Sequence, residues 1–237
     1  MPSRRYPRKL RSALDRVLVH DVKNMGFRLQ MLLLNLEEHY GDPEFKKLVQ
    51  SLLHSTVERL AVIAGRYEKH QDTILVKVAL SPNDVLAVVA KEATSRIPRL
   101  RGVNTGQPPK LALSVGAPPE IWGDPDYLKE AFSSLVDNAL EAAGAGGKVL
   151  LRSTAAGTRA RPRASVEIID NGCGMTPEFL RERLLQPFET TKPNGVGLGL
   201  FTAAQIIRYH SGTLRVLSQP GGVTIMRVSF PAARSSA

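Results

Sequence analysis

Apolar positions recur at two different periods along the chain, and the change from one to the other divides it. No proline interrupts residues 10–40, and Leu18, Val22, Met25, Leu29, Leu32 and Leu36 alternate steps of four and three, the spacing of a coiled-coil seam. Leu10, Leu14 and Val17 sit one position out of phase, so the seam shifts just before His20. Gly41 stops this predicted helix, while Asp42 offers a cap and Pro43 a first turn for the next. The second stripe runs through Phe45, Val49, Leu52, Leu53, Val57, Leu60, Ala64 and Tyr67, to about residue 70. Two helices of this length cannot bury both stripes as a lone hairpin. Two chains forming a four-helix bundle can, which predicts a homodimer.

Beyond residue 72 short strand-like runs alternate with helices. ILVKVAL at 74–80 predicts a strand, and Ser81 caps a helix to about Ile97, with Asn83 and Asp84 in its first turn. A loop leads to KLALSV at 110–115, a strand, and Asp124 opens a helix through about Ala143. Residues 146–155 and 163–169 predict a β-hairpin, with the basic segment 157–163 as its long turn. Thr176 and Pro177 start a short helix, and residues 200–210 form another, closed by Gly212. Residues 213–219 and 223–230 are the last strands, joined by Pro220, Gly221 and Gly222. Helices interleaved with mostly antiparallel strands predict an α/β sandwich. The fold class is therefore α+β, with a helical hairpin at 1–72 and a sandwich at 73–237.

Composition narrows the function. Hydrophobic content of 43% with 23% charged residues is that of a soluble globular protein. No run approaches the roughly 18 apolar residues of a membrane span, and MPSRRYPRKLRS lacks the apolar core of an export signal. A cytoplasmic location is expected, with membrane contact only through a sensor region that this chain does not contain. Cys173, the single cysteine, excludes an intramolecular disulfide and fits a reducing compartment. The net charge is +10, with the densest basic clusters at 4–11 and 152–163. No nucleic-acid reading motif or interleaved aromatic accompanies them, so no nucleic acid is expected and they read as solvated surface and a mobile loop. The same balance suits a protein that holds a triphosphate and meets an acidic protein partner.

The chemistry concentrates in a few stretches. DNGCGM at 170–175 follows the apolar run SVEII, placing Asp170 at a strand end between glycine-driven turns. Gly172 and Gly174 allow close approach of backbone to a ligand, and Met175 packs beside it. LVDNALEAA at 135–143 carries Asn138 on a helix, and PFETTK at 187–192 carries Phe188, Thr190, Thr191 and Lys192. GVGLGL at 195–200 opens a helix, so its free N–H groups and dipole suit an anion; Gly195, Gly197, Leu198 and Gly199 line that turn. No strand leads into it, which removes the dinucleotide-binding reading. HDVKN at 20–24 sets His20 outside the seam, facing solvent, with Asp21 beside it and Asn24 one turn on. Taken alone, His20 is an ordinary exposed histidine, as His39, His54, His70 and His210 are read to be.

In their order along the chain, LVDNALEAA, DNGCGM, PFETTK and GVGLGL resemble the asparagine, glycine and phenylalanine boxes of the histidine-kinase ATP-binding domain, of the wider Hsp90, gyrase and MutL type. HDVKN resembles the phosphoacceptor box that precedes them, and the resemblance runs from about Leu10 to Pro231. PFETTK and NALEA look like the nitrogen-regulation type, and HDVKN also resembles the kinase of the PEP-CTERM system. The resemblance implies that ATP and Mg2+ are bound, that Asn138 coordinates the metal, and that Asp170 accepts a hydrogen bond from the adenine amine. It implies that Thr224 supports the adenine site and that Thr191 and Lys192 reach the phosphates. It further implies that His20 takes the γ-phosphoryl group, that Asp21 orients the imidazole, and that Asn24 positions water for phosphatase activity. The expected partner is the receiver domain of a response regulator.

Two residues depart from the family pattern. Met25 stands where proline commonly follows the acceptor-box asparagine. Ser134 stands one turn before Asn138, where ATPases of the superfamily carry a glutamate and histidine kinases usually an asparagine. A serine is no base without a partner, which disfavours direct attack of water on ATP. The rival readings are a nonenzymatic phosphorelay or scaffold dimer and an ATP-hydrolysing clamp.

Overall fold

The structure is a computed structural model that describes residues 29–30, 42–43, 45–47, 49–53, 56–57, 60, 76–97, 107–186 and 199–233. These fall in two compact units divided between residues 75 and 76. In the first, Leu29 and Gln30 are helical, as are Pro43, Phe45 to Lys47, Val49 to Leu53, Thr56, Val57 and Leu60. Asp42 precedes that second stretch in non-helical conformation, and its carbonyl accepts the Lys46 N–H at 3.0 Å, as a capping residue's does. Leu53, Val57 and Leu60 recur at steps of four and three and stay 46%, 64% and 42% exposed in the single chain.

The second unit holds strands β1 (Val78–Leu80), β2 (Lys110–Val115), β3 (Ile121–Gly123), β4 (Lys148–Thr158), β5 (Arg161–Asp170), β6 (Thr213–Leu217) and β7 (Thr224–Pro231). Its helices are α1 (Pro82–Arg96), α2 (Pro125–Ala143), α3 (Pro177–Glu182) and α4 (Gly199–Tyr209). Five strands form one sheet in the order β2-β4-β5-β7-β6, and β1 pairs with β3 in a separate two-stranded sheet. Among the described residues only β2 and β4 run parallel; the other pairs are antiparallel. The helices begin where side-chain oxygens satisfy free backbone donors. Ser81 accepts from Asn83, Asp124 from Asp126 and Tyr127, and Thr176 from Phe179, and proline occupies each first turn.

α1, α2 and α4 cover one face of the large sheet. Leu86, Leu128, Phe132, Leu135 and Ile207 from the helices meet Leu151, Ile168, Val228 and Phe230 from the strands, all fully buried. Phe132 and Phe230 lock edge to face, with ring centroids 6.3 Å apart. His210, expected from the sequence to be an ordinary exposed histidine, is instead 3% exposed and belongs to this framework. Its Nε2 accepts the Asp124 N–H at 3.0 Å and its Nδ1 bonds the Ile206 carbonyl at 2.7 Å. Desolvation holds it below the usual imidazole range, so the ring is a neutral brace between α2 and α4.

Two expectations change. The segment 157–163 is not a long mobile turn: β4 and β5 stay in register to the pair Thr158 and Arg161, leaving a two-residue turn. The arginines there are compatible with strand because the backbone ladder is satisfied, Arg159 and Arg161 are exposed, and Arg163 donates to Ser229. The run 121–123 forms β3, too short for any period to reveal. The strand expected at 74–80 is observed at Val78–Leu80; residues 74 and 75 lie outside the described residues.

Candidate nucleotide-binding site

The site is built at the end of β5. Asp170, its last residue, lies in register between Val149 of β4 and Thr224 of β7. Strand alternation turns it to the helix-covered side, where only 2% of it is exposed. One carboxylate oxygen accepts the Gly172 N–H at 3.0 Å. Burial pushes this carboxyl above the usual aspartate range, with the Gly172 N–H acting in the opposite direction. A carboxylate has about four lone-pair sites, so one backbone donor leaves it acceptor capacity for an amine.

The glycines that follow are required by the protein's own backbone. A Cβ on Gly172 would stand 2.4 Å from the Ala142 carbonyl at the end of α2. Gly174 has φ +66°, and a Cβ there would stand 1.8 Å from the Gln219 carbonyl oxygen. The loop is thus wedged between the end of α2 and the β6–β7 turn, where the Gly221 N–H donates to the Cys173 carbonyl at 2.7 Å. Asn171 closes its other side, its side-chain oxygen accepting the Lys148 N–H at 2.6 Å. Cys173 itself is exposed, a small residue between two tight turns.

Thr224, 3% exposed, reinforces the same corner. Its hydroxyl shares a 2.8 Å hydrogen bond with that of Ser218, and Ser218 accepts the Met175 N–H at 3.0 Å. Ser218 therefore ties the last residue of the glycine loop to Thr224. The sequence carries no sign of it: a serine after a strand is ordinary turn chemistry, and only the pairing of β6 with β7 brings it here.

Asn138 is half-buried on α2, one turn after Ser134 on the same helix face. A Cβ on Gly199 would lie 2.8 Å from the Ser134 hydroxyl, so the first residue of α4 sits against the Asn138 side of α2. The first turn of α4 holds no acidic residue, which keeps its positive end available to an anion. The structure thus brings Asp170, Gly172, Gly174, Met175 and Thr224 into one corner; α2 links it to Asn138, with Gly172 against Ala142 one turn after Asn138 and Gly199 against Ser134 one turn before it. His20, Asp21, Asn24, Phe188, Thr190, Thr191, Lys192, Gly195, Gly197 and Leu198 lie outside the described residues.

The donor set fits a purine nucleotide. A buried carboxylate beside a buried hydroxyl can accept from an exocyclic amine, and a helix N-terminus can meet phosphate. It fits magnesium as well. Among the described residues no cluster of three or more histidine, cysteine, aspartate or glutamate side chains could hold a metal alone. Mg2+ carried by phosphates and waters takes few protein ligands, and an amide oxygen such as that of Asn138 is of the hard type it accepts.

Residues 123–234 match the family model for the histidine kinase-, DNA gyrase B- and HSP90-like ATPases. The chain is 31% identical over 232 residues to the sensory histidine kinase/phosphatase NtrB of Azospirillum brasilense, covering 93% of this chain. It carries the ATP-binding core of a sensor histidine kinase. The chain spans 55% of the length of that NtrB relative. Among solved structures it resembles the mycobacterial sensor histidine kinase MprB, at 25% identity and a TM-score of 0.55, over 66% of this chain and 97% of that one. The complex of histidine kinase ThkA with the response regulator TrrA shares the fold over 97% of this chain and 66% of its own, at 20% identity and a TM-score of 0.61. Among the described residues of this kinase core, no helix is long and apolar enough to cross a membrane.

Proposed function

We propose that the protein is a dimeric histidine protein kinase that transfers the γ-phosphoryl group of ATP to His20 and then to a response-regulator aspartate. In the first transfer the bond from the γ-phosphorus to its bridging oxygen breaks, a phosphorus–nitrogen bond forms on the imidazole, and ADP leaves. Asp21 takes up the imidazole proton. Asp170 and Thr224 hold the adenine, Thr191, Lys192 and the 195–199 turn hold the phosphates, and Asn138 holds Mg2+. The metal supplies charge neutralisation on the phosphates when bound. Residues 1–72 act as the dimerisation and acceptor hairpin and 73–237 as the catalytic domain, in the cytoplasm.

The observation that carries this reading is Asp170, a buried carboxylate with a raised affinity for protons, braced by Thr224 and the glycine loop in a fold of this type. The exposed stripe of Leu53, Val57 and Leu60 supports the homodimer, because a second copy would cover it. That the NtrB relative is a kinase/phosphatase supports a second activity here, with Asn24 positioning the water that hydrolyses the regulator's acyl phosphate. ThkA, solved with its response regulator, supports the expected class of partner.

Incubation with γ-labelled ATP tests the proposal. The expected product is protein-bound label that is acid-labile and alkali-stable, and absent from His20→Gln. Absence of such label from a protein that still binds ATP would overturn it.

A further inference from the structure

The face of the large sheet opposite the helices carries a pattern that phosphoryl transfer does not use. Cross-strand register aligns its outward side chains in rows running across the strands. One row is apolar: Leu150, Ile169, Ile225 and Leu217 lie side by side on β4, β5, β7 and β6. Leu217, at the edge, is 56% exposed. The next row reads Arg152, Glu167, Arg227 and Arg215 in the same strand order. Lys110 and Lys148, paired across β2 and β4, stand on the far side of the apolar row.

The charges on this face do not balance. Glu167 is nearly buried between Arg152 and Arg227 and hydrogen-bonds both. Arg227 also stands directly opposite Arg215, a like-charge pair of the kind that destabilises a sheet. Arg163, two residues before Ser165 on the same face, is fixed by the side chain and carbonyl of Ser229 at 2.7 and 3.0 Å. Several guanidinium groups are thus held in place before any ligand arrives, which lowers the ordering cost of an encounter.

We infer that this face docks an acidic amphipathic helix of a protein partner, lying across the strands with its apolar stripe on the Leu150–Leu217 row. The dimensions agree. Arg152 and Arg227 are two strand spacings apart, about 9.6 Å, and Arg215 is one spacing further, at about 14.4 Å. Carboxylates at positions i, i+7 and i+10 of a helix are separated by about 10.5 and 15 Å. The contact is additional to the phosphoryl-transfer encounter, which has to be made at His20. Among the described residues no aromatic side chain stands in these rows to stack on bases or to anchor at a membrane interface.

A fluorescent helical peptide with glutamates at i, i+7 and i+10 and leucines on the adjoining stripe provides the test, read by anisotropy against the full chain. Binding should weaken about tenfold in Arg215→Glu, the scale of one charge-assisted contact. It should recover when the i+10 glutamate is changed to lysine, and weaken in Leu217→Ser. Nucleotide affinity of Arg215→Glu should equal that of the parent, showing that the domain is intact. Binding no tighter than that of a scrambled peptide, or indifferent to Arg215→Glu, would overturn the inference. Preferential binding of phosphatidylglycerol vesicles or single-stranded RNA, lost in Arg215→Glu, would overturn it in favour of a membrane or nucleic acid.

Discussion

Two buried carboxylates sit three residues apart on β5 and point to opposite sides of the sheet. Glu167 is 5% exposed and Asp170 2% exposed, so burial does not separate them. Their partners do. Burial pushes Glu167 upward, but hydrogen bonds and charge from Arg152 and Arg227 outweigh it and leave the group below the usual glutamate range. For Asp170 the opposing influence among the described residues is the Gly172 N–H, and burial leaves it raised. A carboxylate enclosed by cations is an anchor, while one buried without a counter-charge retains the capacity to bind a donor from outside. On the helix-covered side of β5 the carboxylate keeps capacity to accept a donor from outside, and on the arginine side it serves as a structural anchor.

The largest effect should come from Asp170→Asn. It replaces an anionic acceptor by a neutral amide and should weaken ATP binding about 10- to 100-fold, the range of a charge-assisted hydrogen bond of roughly 1.5–3 kcal/mol. Its thermal midpoint should be unchanged or higher, because an uncompensated buried charge is removed. A lower midpoint with intact ATP binding would reverse the roles assigned to the two residues. Glu167→Gln should do the converse, leaving ATP affinity alone while costing about 1–2 kcal/mol of stability. That figure is held down because the two guanidinium groups are about half exposed and partly screened. Denaturant unfolding beside isothermal titration distinguishes the two outcomes.

Acidification should act on the two in opposite senses. Burial raises Asp170 from the ordinary aspartate range, so nucleotide affinity is lost at a higher pH than an ordinary aspartate would give. Glu167, lowered from 4.5, contributes stability that is fully present above that value and is lost only as pH falls through its depressed folded value. Nucleotide titrations and unfolding followed over the acid range check this. Simultaneous loss of both at an ordinary carboxylate pH would dissolve the distinction. The smallest effect belongs to Ser218→Ala, which removes the acceptor for Met175 N–H and the partner of Thr224. It should cost about 1 kcal/mol and a few-fold in ATP affinity, restored in part by Ser218→Thr.

Local chemistry was legible in the sequence wherever a few adjacent residues decide the conformation. The caps at Ser81, Asp124 and Thr176 are observed with the side-chain bonds their residue types predict. The helices at Pro82–Arg96, Pro125–Ala143 and Gly199–Tyr209 lie within a residue or two of their expected ends. The glycine loop was also legible, though for a different reason. Close approach to a ligand was expected at Gly174, whereas its positive φ and the Gln219 carbonyl already exclude any side chain there.

The sequence by itself determined the two periods, the helix starts and the strand end that presents Asp170, because these depend on spacing and on groups within a turn of one another. Tertiary structure alone decided that Thr224 stands beside Asp170, that Ser218 joins them, that the basic segment 157–163 is paired strand instead of loop, and that Glu167 is enclosed while Asp170 is not. Those outcomes rest on cross-strand register between segments distant in the chain. Register is fixed by which face of each strand can be buried, a property of the assembled sheet that no single stretch of residues contains.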